Sequence, residues 1–396
     1  MLSRQESRNE LAKEVNRFSF EELFRIGCTR VSSVGELDRL GMAVYCGKLP
    51  KGKVISVSSG KGRERYLARA GSIFEAFELW SAEHPDFLNY KAGSILEMQD
   101  QGIKIVPPAT LQFSLHAIFS ERTPISWHPC RDLIRNREVW CPSDLIYIAA
   151  TIMQPLMHFQ STTNGLASGF DDLDAVLSGL YEVVERDAWT ISEVILQSSG
   201  LSPERVALEG DLGAYEKRIY DAGARLFVFD VTSDLGIPAF KSIICDASEW
   251  SPGMFAGYGC HLNGEHAILR SILEAAQARA VYTSGDRDDL LRRTFLLVKR
   301  VNQVAMIKQL QSLPIKCGSN SYAKFEFGTV PQELAFLVKR LRQKGISEIY
   351  FKELHRHEEP PFVVVRVYCP QLEPAKFETW QMGPRVIRAL ENINNK

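Results

Sequence analysis

One local pattern, written three times, constrains this chain more than any other feature. A glycine-bearing segment leads into a helix-compatible run that carries two acid or amide groups three residues apart. The first is Gly60-Lys61-Gly62, leading to Glu75 and Glu78. The second is Asn164-Gly-Leu-Ala-Ser-Gly169, leading to Glu182 and Glu185. The third is Gly257-Tyr-Gly259-Cys-His261, leading to Glu274 and Gln277. Positions i and i+3 of a helix share a face, so each helix presents a two-oxygen claw. Apolar residues fill the gaps (Ala76, Phe77, Val183, Val184, Ala275, Ala276), which places the claws on largely buried helices. A lone E-x-x-E is common on solvated helix faces. Three claws at matched distances from three glycine turns need another cause. Buried carboxylates require a counter-charge, hydrogen bonds or a metal, and hard divalent cations take oxygen ligands. The pattern therefore predicts a magnesium cluster holding a polyphosphate.

The 396 residues can bury a large core. Strand-like and helix-like runs are mixed without strict βαβ alternation, which predicts an α/β (mixed α+β) fold. No Gly/Ser-rich or Pro-rich linker divides the chain. The expected organisation is an N-terminal helical segment, 1–26, followed by one dominant unit, 27–396. A helix is expected over 8–26, with Leu11, Val15, Phe18 and Phe24 inward. Claw helices are expected over 63–81, 171–189 and 265–282, the second capped by Asp171 or Asp172. An amphipathic helix is expected over 332–343. Residues 224–246 read as two strands around a turn, and "EIYFKEL" and "PFVVVRVYCP" as strands.

A net charge of −1 gives no field favouring nucleic acid or an anionic membrane. There is no apolar run long enough to span a bilayer, and the charged N-terminus lacks a signal-peptide core, so the expected location is cytoplasmic. The eight cysteines form no C-x-x-C and are expected to be free thiols. There is no G-x-x-x-x-G-K-[ST] phosphate loop and no G-x-S-x-G elbow, so a different nucleotide fold is required.

The segments "SSGKG…SIFEAFE", "NGLASG…SGLYEVVERDAW" and "GYGCHLNGEHAILRSILEAAQAR…SGDRDD" resemble the YcaO family of ATP-dependent peptide-modifying enzymes, as do "DVTSDLGIPAF" and "VVVRVYCPQLE". The resemblance runs from Gly27 to Glu373 in the expected order. It implies ATP and Mg2+ as cofactors and activation of a peptide backbone amide oxygen, generally by phosphorylation. A neighbouring side chain then gives an azoline, sulfide a thioamide, and an amine an amidine. By matched motif, Glu75, Glu78, Glu182 and Glu185 are implied magnesium ligands. Lys61, Asn164, Ser178, Arg186, Glu274, Gln277 and Arg279 are implied ATP contacts.

Two departures stand out. Where the family often has Ser and Arg flanking the first claw, this chain has Gly71 and Leu79. The proline-rich tail common in azoline-forming members is absent from Glu391–Lys396. Segments such as "DRLG" and "RVYCPQLE" are similar to members that work beside a TfuA-type partner in thioamidation. The resemblance thus implies a peptide or protein substrate, a partner of that type, and a homodimer. The alternative is an accessory, ATP-binding member that supports methylthiolation of a ribosomal protein. A small-molecule ligase is a third reading. Outside the motifs, His261 is expected to be a structural hydrogen-bonder. His355-Arg-His357-Glu358-Glu359 is expected to be a solvated loop and not a zinc site. Asp286–Asp289, Lys299-Arg300 and Lys339–Arg342 are expected to be solvated.

Overall fold

The computed structural model describes residues 3–114, 117–148, 158–159, 161–246, 253–286, 303–374 and 382–394. Three sheets carry the fold. In the first, β1 (Arg30–Ser33), β2 (Ala43–Lys48) and β3 (Val57–Gly62) pair antiparallel in chain order. The second has the order β11 (Met254–Cys260), β10 (Ala239–Asp246), β9 (Ala224–Asp230), β8 (Arg205–Ala207), β12 (Ile315–Gly318), with only the last pair parallel. The third has the order β4 (Lys91–Gly93), β5 (Ile125–Asp132), β13 (Tyr350–His357), β14 (Phe362–Tyr368), β7 (Leu166–Gly169), and β6 (Arg137–Pro142) also pairs with β5. The helices that matter for the site are α1 (Arg4–Val15), α2 (Phe20–Arg25), α3 (Arg65–Ala82), α4 (Asp172–Ser199), α5 (Gly264–Ser284), α6 (Val330–Gln343) and α7 (Pro384–Asn394). The mixed α/β class is as expected from the sequence.

Each claw helix follows a strand of a different sheet and folds back on it: β3 to α3, β7 to α4, β11 to α5. Of the glycines read as turns, Gly165 makes one, at φ 78°, while Gly60, Gly62, Gly169, Gly257 and Gly259 lie in those strands, where their role is close approach. A Cβ at Gly60 would stand 2.0 Å from the Ala68 carbonyl oxygen. One at Gly169 would stand 2.3 Å from the Ala175 nitrogen, and one at Gly257 2.1 Å from the Ala275 nitrogen. The helix backbone rests directly on its own strand at all three places, and only glycine leaves the room.

The reverse face of each claw helix supplies the core. On α3, Ile73, Ala76 and Phe77 pack with Leu11 and Val15 of α1 and with Phe362 and Val364. On α4, Leu180, Val183 and Val184 pack with Val363, Val365 and Val367 of β14 and with Leu334 and Leu337 of α6. On α5, Ile268, Ile272 and Ala275 pack with Phe240 and Ile244 of β10. Each large side chain so buried contributes roughly 1.5–3 kcal/mol. With that face committed, the claws point the other way.

The structure corrects several local expectations. The helix expected over 8–26 is two helices. Ser19 forms a capping box with Glu22 and starts α2 afresh, and Phe24, expected inward, is 56% exposed and stacks on Phe20. Asp171 is the cap of α4, which runs ten residues past the expected end, to Ser199. His355 and His357 lie on β13 and not in a loop. Strand alternation puts i and i+2 on one face, where His355 stacks on Phe77 and His357 on Phe362. Of the segments expected to be solvated, residues 287–289 and 299–300 lie outside the described residues. Among the described residues no helix is long and apolar enough to cross a membrane.

Candidate functional site

The three claws open into one cleft of about 750 Å³. From α3 it takes Gly71, Glu75, Glu78 and Leu79; from α4, Glu182, Glu185 and Arg186; from α5, Arg270, Glu274 and Gln277. Lys61 enters from β3. The cleft is graded along its length. Following β3 backward, Lys61 and Ser59 give way to Val57 and Ile55, and following α5 forward, Glu274 and Gln277 give way to Val281 and Tyr282. Phe255 and Ala256 complete the apolar end. Eight residues of α5 separate Glu274 from Tyr282, a rise of roughly 12 Å.

The polar groups at the charged end hold one another in place. Lys61 Nζ lies 2.6 Å from Glu274 Oε2, with each side chain 25% exposed. The Ser59 amide donates to Glu75 Oε2 at 2.7 Å, and Gln277 Nε2 donates to Ser59 Oγ at 2.7 Å. Ser168 Oγ donates to Glu78 Oε1 at 2.6 Å. The Tyr258 amide donates to Glu274 Oε1 at 3.3 Å. Arg186 follows the second claw on α4, its Nη2 4.0 Å from Glu182 Oε1, and its guanidinium lies 5.4 Å from the centre of the Trp189 ring.

The acids respond differently to this crowding. Burial, reinforced by Glu75 and Glu182, pushes the Glu78 carboxyl up to about 8. Burial also raises Glu182, against the pull of Arg186 and Arg366. Glu185 is raised by burial and by neighbouring Glu274. Burial opposes ionisation of Glu274 too, but Lys61, Arg186 and Arg270 outweigh it and hold that carboxyl low. Burial thus outweighs the nearby cations at Glu182 and Glu185 and raises them, as it raises Glu78, while positive charge prevails beside Glu274.

This donor set fits a magnesium–polyphosphate. It is all oxygen, at acids whose burial makes ionisation costly, a cost that a bound cation removes. Among the described residues no three His, Cys, Asp or Glu side chains come close enough to enclose a metal by themselves. Magnesium habitually takes one or two carboxylates and completes its shell with waters and phosphate oxygens, so an incomplete protein shell suits it. Among the described residues, the buried Oδ1 of Asn164, beside the cleft residue Thr163, has no hydrogen-bond partner.

Comparison with known proteins gives this geometry a lineage. The model of the YcaO cyclodehydratase family, described as ATP- and Mg2+-binding, matches residues 59–373. The chain belongs to the YcaO family. A protein in the tfuA 3′ region of Rhizobium leguminosarum bv. trifolii is 30% identical over 392 residues, 93% of this chain and 89% of that one. A protein from Methanothermobacter thermautotrophicus is 28% identical over 384 residues, 92% of this chain and 95% of that one. Among solved structures, YcaO from Methanopyrus kandleri bound with AMPPCP and Mg2+ superposes with a TM-score of 0.72 at 20% identity, covering 95% of both chains. A heterocyclase in complex with substrate and cofactor also gives 0.72, at 22% identity, over 90% of this chain and 52% of that one. At these identities the structural likeness speaks for the YcaO fold.

Of the residues singled out from the sequence, Lys61, Glu75, Glu78, Glu182, Glu185, Arg186, Glu274 and Gln277 line the YcaO cleft together. Two others take partners elsewhere. Ser178 Oγ accepts from Arg8 Nη2 at 2.5 Å and Arg4 Nη2 at 3.0 Å, holding α1 against α4. Arg279 is 3% exposed and pairs with Asp38 at 2.8 Å and Asp246 at 3.0 Å, tying the "DRLG" loop to α5. His261 accepts from the Asn263 amide and stacks on Tyr181, a structural role as expected. Sequence reasoning missed Ser59, Ser168 and the apolar end of the cleft. The two serines sit inside the glycine motifs "SSGKG" and "NGLASG", which offered the signal.

Proposed function

We propose that this protein uses Mg2+ and ATP to activate a backbone amide oxygen of a peptide, for replacement by sulfur. The convergence of three claws and Lys61 on one graded cleft carries this reading. In it the charged end would take the polyphosphate, and Val57, Phe255 and Tyr282 at the apolar end would take the base. Glu75, Glu78, Glu182 and Glu185 would hold magnesium. Lys61, freed from Glu274, and Arg186 would meet phosphate oxygens, with Asn164, Glu274 and Gln277 as further nucleotide contacts.

ATP supplies a phosphoryl group that turns an amide oxygen, otherwise a poor leaving group, into phosphate. The residues position and neutralise, which is most of what phosphoryl transfer asks of a protein. The acids would hold the cation that neutralises the phosphates, and Lys61 and Arg186 would offset the charge developing on the departing ADP. Attack by hydrosulfide on the amide carbon then expels phosphate together with the original oxygen and leaves a thioamide. The relative in the tfuA 3′ region agrees with the TfuA-type partner that the resemblance implies, and thioamide formation is proposed on that ground.

The test is calorimetry of Mg·ATP with wild type and with Glu182→Gln/Glu185→Gln, followed by product mass with a candidate peptide. Binding that disappears in the double variant supports the cleft as the nucleotide site. A peptide gaining the sulfur-for-oxygen difference marks a thioamide, and one losing a water marks an azoline. A folded wild type that binds no Mg·ATP overturns the proposal and leaves an accessory role.

A further inference from the structure

Directly behind the second claw lies a buried ion cluster that the nucleotide reading does not use. Asp187 is two residues past Glu185, about 200° around the helix and so on its opposite side. Its side chain is fully buried. Arg385 of α7 grips it with two parallel hydrogen bonds, Nε to Oδ1 at 2.7 Å and Nη2 to Oδ2 at 2.8 Å. Asp187 Oδ1 also accepts from the Glu373 amide at 2.9 Å. Glu373, the last residue of "RVYCPQLE", turns its own carboxylate on α7. It accepts from the backbone amides of Gly383 at 3.0 Å, Arg385 at 2.9 Å and Val386 at 3.0 Å. Arg385 reaches outward to Asp234 at 2.6 Å. One turn along α4, Thr190 Oγ1 donates to the Pro374 carbonyl at 2.6 Å, and Ile191 and Val194 pack on Val386.

An apolar contact can slide, but a bidentate guanidinium–carboxylate pair is fixed in distance and plane. Near its start α4 is held by Arg4 and Arg8 on Asp174 and Ser178; at the turn that carries Glu185 and Arg186 the fixed contact is that of Arg385 with Asp187. We propose that Arg385 is a positioning residue for the nucleotide site: through Asp187 it fixes the rotation and height of α4, and so the placement of Glu182, Glu185 and Arg186 toward Mg·ATP. The inference rests on the nucleotide reading of the cleft. It also gives the "RVYCPQLE" segment a task, since Glu373 holds α7 where Arg385 can reach.

Removing one partner alone would strand a buried charge, so the informative variant replaces both. In Asp187→Leu/Arg385→Met the buried charges become apolar groups of similar volume, an exchange that folded proteins tolerate. Its melting midpoint is expected close to wild type, while Mg·ATP binding by calorimetry weakens at least tenfold. Arg385→Lys, which keeps the charge without the fork, is expected to fall between the two. Val386→Ala loosens α7 through its apolar contact alone; it should lower the melting midpoint and leave the Kd within about twofold. Wild-type affinity in the double variant overturns the inference. So does equal loss of affinity in Val386→Ala, because stability alone would then account for it. If the double variant does not fold, wild-type affinity in Arg385→Lys overturns it and a severalfold loss with an unchanged midpoint supports it. A wild type without Mg·ATP binding sinks the nucleotide reading itself, and this inference with it.

Discussion

Glu78 offers the sharpest test of whether the cleft is built for a cation. Its carboxyl is pushed from the ordinary 4.5 up to about 8, so at pH 7 the folded protein free of nucleotide holds a proton that the unfolded chain has lost. The folded state binds more protons across that window, and linkage then makes its stability fall as pH rises through it. At pH 7 the interval above 4.5 is about 2.5 units at ~1.36 kcal/mol each, roughly 3 kcal/mol at face value. Solvent in the open cleft brings this to about 1–2 kcal/mol. Glu78→Gln keeps the shape and removes the titration. It should exceed wild type in stability at pH 8 by more than at pH 7, with the gap closing toward pH 5. A divalent cation needs the ionised acid, so Mg·ATP should expel about one proton at pH 7. A single group with this pKa makes the apparent affinity rise about 50-fold from pH 6 to pH 8. Calorimetry in two buffers of different ionisation heat counts the proton, after correction for the nucleotide's own titration, and thermal scans read the stability. Affinity flat from pH 6 to pH 8 without proton release refutes the reasoning. So does a Glu78→Gln protein no more stable than wild type at pH 8.

Three other substitutions separate the roles of neighbouring residues. Lys61→Met removes the cation paired with Glu274; a lost charge-assisted contact of roughly 1.5–3 kcal/mol should weaken Mg·ATP tenfold to a hundredfold by calorimetry. Gly257→Ala drives a Cβ to 2.1 Å from the Ala275 nitrogen; lifting α5 from β11 should cost more than ~4 kcal/mol, read as loss of folded protein on expression. Arg279→Met strands the buried Asp38 and leaves Asp246 to Arg39 alone; denaturant titration should show a loss of about 3–5 kcal/mol, while the Kd of the remaining folded protein stays at the wild-type value.

The claws were legible because helical period and apolar spacing are local properties. Glu75 and Glu78, or Glu182 and Glu185, had to share a face once those runs were helical. The glycines are visible, but apart from the turn at Gly165 their use is not. "SSGKG" looks like a turn, and only the third dimension shows Gly60 as the place where α3 touches β3. The same limit explains His355 and His357. The helix period separates them, the strand period unites them, and the sequence alone did not decide which applied. Ser178 and Arg279 match helical patterns as well as Glu182 does, yet their partners, Arg8 and Asp38, lie 170 and 241 residues away. Partner choice at that range is a property of the assembled sheets. At the N-terminus the apolar period runs on through Ser19, and the break comes from its side chain, which accepts from the Glu22 amide and starts a second helix.

The altered edges of the first claw bear on the pH behaviour just derived. A Cβ at Gly71 would meet Gly60 Cα at 3.4 Å, an ordinary contact, so packing does not demand glycine there. Leu79 differs: it is 2% exposed and closes the cleft wall beside Glu78. On α4 the equivalent position is Arg186, whose charge opposes the burial that raises Glu182 and Glu185. The first claw has Leu79 and not a cation at that position, and Glu78 is the acid pushed up to about 8. Leu79→Arg should therefore make the first claw behave like the second. The guanidinium can extend along the wall into the cleft, at a core-packing cost of about 1–3 kcal/mol. With that charge in place Glu78 ionises near neutrality or below, and proton release on binding Mg·ATP at pH 7 drops from about one toward zero. The same two-buffer calorimetry reads it. A folded Leu79→Arg protein that still expels a full proton would mean that burial alone sets Glu78, and that the residue after the claw has no part in its charge.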